Sequence, residues 1–154
     1  MFTEKDLSRR LGMAVSEQAV GVINYAVTEA RSRLQIHVTP EHLFLGLLEF
    51  PIPRNFEKFG INPEELRFRA MIGMGYGDRG SDLSFIDFTE GSKMAIYYGV
   101  LEAKELDDVE LLPEHLWLGV CKEVNNGAAR ILREHGLFYA NMHSAVLQPS
   151  GLRR

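Results

Sequence analysis

Two short clusters carry residue types that can do chemistry: Glu41-His42 and Glu114-His115, each directly after a proline. A Glu-His pair invites a zinc-hydrolase reading, which requires a second histidine four residues further along the same helix face. Gly46 and Gly119 stand there instead. His37, His135 and His143 add no ligand spacing along the chain, so His42 and His115 read as buried structural groups and no metal site is expected. Ser144 beside His143 could be drawn into a nucleophilic triad, but no strand-turn-helix elbow presents the serine. Gly73, Gly75, Gly77 and Gly80 suggest a phosphate loop, yet no Gly-Lys-Ser/Thr follows and no strand precedes them. They read as a flexible linker. With no nucleophile, metal set or cofactor loop, neither catalysis nor a cofactor is expected.

The elements that must position these residues repeat. At an offset of 73 residues, Ser16-Glu17-Gln18-Ala19 lines up with Thr89-Glu90-Gly91-Ser92, Glu29-Ala30 with Glu102-Ala103, and Pro40-Glu41-His42-Leu43 with Pro113-Glu114-His115-Leu116. The second copy then gains three residues, after which Phe56, Gly60 and Ile61 match Leu132, Gly136 and Leu137. Ala19, Val22, Ile23, Ala26 and Ala30 recur at helical spacing, as do Ala95, Ile96, Gly99, Val100 and Ala103. Ser16 and Thr89 are N-caps, and Thr39-Pro40 is a helix start whose cap hydroxyl is missing at Leu112-Pro113. Gly60 and Gly136 suit left-handed helix stops. The expected fold is all-α: four helices per repeat, about eight in one bundle, with a further helix expected from Thr3 to Leu11 and almost no strand signal. Repeat one covers about residues 16–72, the glycine-rich linker 73–82 and repeat two about 89–148, all within one domain spanning 1–154.

A chain of 154 residues is one ordinary domain, and 45% hydrophobic with 25% charged residues is a soluble globular composition. Apolar runs such as Leu43 to Leu45 are far shorter than the ~18 residues of a membrane helix, so no membrane partner is expected. Ser8-Arg9-Arg10-Leu11 resembles a twin-arginine signal but lacks an apolar segment after it. The single cysteine, Cys121, reads as a small core residue in a reducing compartment, hence the cytoplasm. A net charge of −4 argues against nucleic acid as a partner. The excess lies in residues 76–154, and Glu102, Glu105, Asp107, Asp108, Glu110 and Glu114 form a candidate acidic patch for a cationic partner. Phe44 and Trp117 are expected in the core, whereas Phe50-Pro51-Ile52-Pro53 places apolar side chains in a loop, where they either contact a partner or pack under the bundle.

The capped helices, the paired Glu-Ala and the elements PEHLFLGLL (Pro40 to Leu48) and PEHLWLGV (Pro113 to Val120) resemble the double Clp N-terminal motif. This is the N-domain of Clp-type AAA+ unfoldases of the ClpC and ClpA kind, and the resemblance runs from about Ser16 to Leu147. It departs from the family in having Pro-Glu-His, twice, where Thr-Glu-His is usual, and in replacing the acidic-glycine loop by Phe50 to Pro53. The resemblance implies a pseudo-twofold bundle that receives protein substrates or adaptors for a Clp ATPase or protease. It also implies recognition of phosphorylated arginine, with Glu41 and Ser16 forming one half-site and Glu114 and Thr89 the other. A structural accessory of the Clp assembly is the alternative. No Walker sequence is present, so no ATPase is encoded in these residues.

Overall fold

The computed structural model describes residues 1–78, 83 and 86–147; residues 79–82 of the expected linker and the last residue of repeat two lie outside these. Among the described residues the order is α1 (Glu4–Leu11), β1 (Ala14–Val15), α2 (Glu17–Ser32), β2 (His37–Val38) and α3 (Pro40–Glu49). A 3-10 helix (Arg54–Phe59) and α4 (Pro63–Met74) complete repeat one. Then come β3 (Asp87–Phe88), α5 (Glu90–Glu105), β4 (Glu110–Leu111), α6 (Pro113–Lys122), α7 (Gly127–Glu134) and α8 (Tyr139–Leu147). The all-α expectation holds, with four helical segments per repeat and α1 as the extra one. The 3-10 segment stands where repeat two has α7. Asn126 caps α7 by accepting the Ala129 N–H at 2.7 Å, whereas Pro53 offers no side-chain cap to Arg54–Phe59. No helix among the described residues is long and apolar enough to cross a membrane.

The four two-residue strands are the feature that periodicity did not reveal. β1 pairs in parallel with β4, and β2 with β3, so each strand bonds to the opposite repeat. Hydrogen bonds continue the ladders into the helix starts: the Ser16 N–H donates to the Leu111 carbonyl and the Thr89 N–H to the Val38 carbonyl, both at 3.0 Å. The two bonds are related by the 73-residue offset. The repeats are therefore latched to each other twice rather than merely packed.

The core lies where α3 and α6 meet. Phe44 and Trp117, equivalent residues of the two copies, are fully buried and cross edge to face, with ring centroids 5.9 Å apart. Phe56 joins Trp117 at the same centroid distance. Phe50 and Ile52 are half-buried against this core, so the loop packs under the bundle; the Phe50 ring fills the space beside Gly21.

Two histidines fix the starts of α3 and α6. The His42 Nδ1 accepts the Thr39 N–H at 2.9 Å, and its Nε2–H donates to the Gln35 side-chain Oε1 at 2.7 Å. The His115 Nδ1 accepts the Leu112 N–H at 2.9 Å and its Nε2 meets the Asp108 carboxylate at 2.7 Å. Both rings are buried, as expected, and each satisfies an amide at its own helix start. Because burial, reinforced by Arg33, disfavours an imidazolium, the His42 pKa is pushed down to about 4.

The glycines of the two Leu-Gly elements have a steric reason. A Cβ on Gly46 would stand 2.5 Å from the Val22 carbonyl oxygen, and one on Gly119 2.0 Å from that of Ala95. Each helix pair of a repeat thus crosses with bare backbone at the contact. Replacing Gly119 by Ala should lower unfolding free energy by about 1–3 kcal/mol or more in chemical denaturation. A folded-state His42 pKa below its ordinary 6.5 gives stability that is complete above that value and lost as pH falls through about 4. Denaturation midpoints should therefore drop between pH 6.5 and 4, with an amplitude of up to about 3 kcal/mol for this group, and His42→Gln should flatten that dependence.

Candidate functional site

The four residues singled out at helix starts come together, but in exchanged pairs. Since β2 lies beside β3, α3 and α5 begin side by side: Pro40 Cγ is 3.3 Å from where a Gly91 Cβ would stand. Thr89 therefore belongs with Glu41, and Ser16, bonded through its N–H to Leu111, belongs with Glu114. The pairing of Glu41 with Ser16 and Glu114 with Thr89 is corrected by the crossed ladders, which no reading confined to one repeat could anticipate. Both hydroxyls are committed to capping: Ser16 Oγ accepts the Ala19 N–H at 3.1 Å, and Thr89 Oγ1 accepts the Ser92 N–H and donates to the Val38 carbonyl, each at 3.2 Å. The amides of the helix first turns, Glu17 and Gln18 or Glu90 and Gly91, are the groups such a start leaves for an anion.

Glu41 is half-buried, with its carboxylate turned to the start of α7. Its Cδ lies 3.6 Å from a Cβ position on Gly127, and Oε1 is buried without a hydrogen-bond partner. Burial holds its pKa above the ordinary value of 4.5, against the opposing pull of the Glu41 and Gly127 amides; Glu123 pushes the same way as burial and Arg130 opposes it. The start of α7 thus meets the Glu41 carboxylate, while the start of α5 lies against Pro40 and Glu123. Glu114 is also half-buried. In repeat one the segment matching α7 is the 3-10 helix Arg54–Phe59, entered through Pro53 without a side-chain cap, so the surroundings of Glu41 and Glu114 differ.

The acidic run in repeat two is not one surface patch. Glu102 and Asp108 are buried, Asp108 against His115, and only part of the run remains exposed. Cys121 is buried too, and burial pushes its thiol up to about 12, leaving it protonated. A concavity that the sequence did not signal, of about 570 Å³, lies between α1 and α5. Phe2, Leu11, Phe88 and Tyr97 give it apolar walls, and Arg10 and Lys104 add positive charge. None of the four helix-start residues lines it.

Comparison with known proteins follows this geometry closely. The family model described as the Clp repeat (R) N-terminal domain matches residues 14–146. The chain is 30% identical over 155 residues to the chloroplastic chaperone protein ClpC1 of Arabidopsis thaliana, covering 97% of this chain and 16% of that protein. It is 30% identical over 141 residues to the chloroplastic ClpA homolog, an ATP-dependent Clp protease ATP-binding subunit, of Brassica napus, covering 88% of this chain and 16% of that one. The chain thus spans about one sixth of the length of these relatives. Among solved structures, the N-terminal domain of the ClpD chaperone from Arabidopsis thaliana superposes with a TM-score of 0.66 at 22% identity, covering 85% of this chain and 90% of that one. The N-domain of ClpV from Vibrio cholerae gives 0.71 at 14% identity, covering 94% and 89%. The match over residues 14–146, which takes in both helical units, shows that this chain belongs to the Clp repeat N-terminal domain family.

Proposed function

We propose that the chain is a non-catalytic receiving module of a Clp-type ATP-dependent unfoldase or protease system, acting in the cytoplasm, that binds substrate proteins, adaptors or their peptides for delivery to the ATPase. The observation that carries this reading is the half-buried Glu41, which opens α3 against the start of α7, with the start of α5 against the neighbouring Pro40 and Glu123. Helix-start amides accept an anion, while Glu41 and the nearby Glu123 accept a cation. A phosphorylated arginine presents both charges on one group, and its guanidinium would give the unpartnered Glu41 Oε1 a donor. Exposed ion pairs contribute only about 0.2–1 kcal/mol each, so the second half-site at Glu114 and Ser16, or the apolar cleft between α1 and α5, would supply the rest of the affinity.

A second reading, a structural accessory that docks on a Clp assembly without reading substrate, draws support from the caps: the hydroxyls and own amides of Ser16 and Thr89 are already engaged within the fold. Under the receiving-module reading, replacing Glu41 and Glu114 together by Ala should weaken binding of an arginine-phosphorylated peptide by about tenfold or more, read by fluorescence anisotropy. Affinity should also fall in the unmodified chain as pH drops into the carboxylate range, because the raised Glu41 pKa lets that group lose its charge early. Unchanged peptide affinity in the double variant would leave the accessory reading in its place.

A further inference from the structure

We propose that Glu102 and Glu105 of α5, with His143 of α8, form a binding site for a zinc-class divalent cation. Ligand spacing along the chain did not suggest it because the imidazole and the carboxylates come from helices far apart in sequence. One carboxylate oxygen of each glutamate and one ring nitrogen of His143 lie within 4.8 Å of one another.

Glu102 supplies the strongest indication. It is 1% exposed, and its two oxygens are treated differently. Oε1 accepts the Tyr139 hydroxyl and lies 3.7 Å from the Lys122 ammonium. Oε2 is buried without a hydrogen-bond partner and stands 3.5 Å from the His143 Nε2. That separation is long for a hydrogen bond. It is close to the ~3.3–3.4 Å between two ligand atoms of a tetrahedral ion with bonds of about 2.0–2.1 Å. Glu105 is exposed at the mouth of the cluster, where its long side chain can complete the set.

The chemistry selects the ion. One imidazole nitrogen with two carboxylates suits zinc and its neighbours in the first transition row, whereas magnesium prefers an all-oxygen shell. Tyr139 stacks on the His143 ring at a 5.2 Å centroid distance and restrains its orientation. Lys122 is the opposing charge: its ammonium lies over the Tyr98 and Tyr139 rings, 5.5 and 5.2 Å from their centroids, on the Oε1 side. It lowers cation affinity without occupying Oε2.

Calorimetric titration of the full chain with zinc chloride tests the site. One equivalent should bind; Glu105→Gln and His143→Ala should each weaken binding about tenfold or more, while Lys122→Met should tighten it. His135→Ala should leave it unchanged, and magnesium should not compete. In the unmodified chain, zinc should shift the side-chain nitrogen resonances of His143 and leave those of the exposed His37 in place. No binding, binding unaffected by both ligand variants, or a His143 signal that zinc does not move would overturn the proposal.

Discussion

Two hydrogen bonds, from Ser16 to Leu111 and from Thr89 to Val38, organise this molecule. Each fixes the cap residue of one repeat's long helix onto the strand that leads into the other repeat's Pro-Glu-His helix. Neither repeat can therefore satisfy its own ladder groups alone, and buried backbone amides and carbonyls without partners are costly. The fold is best understood as an exchange between two copies rather than two bundles laid together. The same exchange decides which helix starts become neighbours, and so which side chains can share a ligand.

Much of the helical layout was legible from residues 16–147. Ser16, Thr39 and Thr89 all cap the helices that their positions announced, and Gly60 and Gly136 adopt the left-handed stops expected of them. Those signals are local, so a linear pattern carries them. The left-handed Leu34 and Asp107, with φ of 59° and 57°, were not legible, since leucine disfavours that region and aspartate, though enriched there, adopts other conformations far more often. They are again equivalent positions, where the chain turns from α2 or α5 toward the strand that crosses to the other copy. The crossing itself was invisible because two-residue strands have no periodicity to detect.

The helix starts that carry the candidate residues were legible in the sequence, and their neighbours across the two copies were not. The resemblance to Clp N-domains implied Glu41, Ser16, Glu114 and Thr89, but only the register of β2 on β3 sets Thr89 beside the start of α3. Divergence between the copies was equally hidden. Glu29 is half-buried and pairs with the buried Arg33 at 2.9 Å, whereas its equivalent Glu102 is buried among Lys122, Tyr139 and His143. Gln35 and Asp108 occupy matching places beyond His42 and His115, yet one is a neutral amide and the other a carboxylate. Duplication preserved the scaffold while these polar positions changed character.

Trp117 is the only tryptophan in the chain, and it lies with no solvent exposure between Phe44 and Phe56, at the seam of the two copies. The molecule thus carries an intrinsic optical reporter at the one place where both halves must be assembled. Loosening of either half would admit water to the indole and redden its emission, so a partly opened species would be spectroscopically distinct from the closed one even where its helix content is preserved.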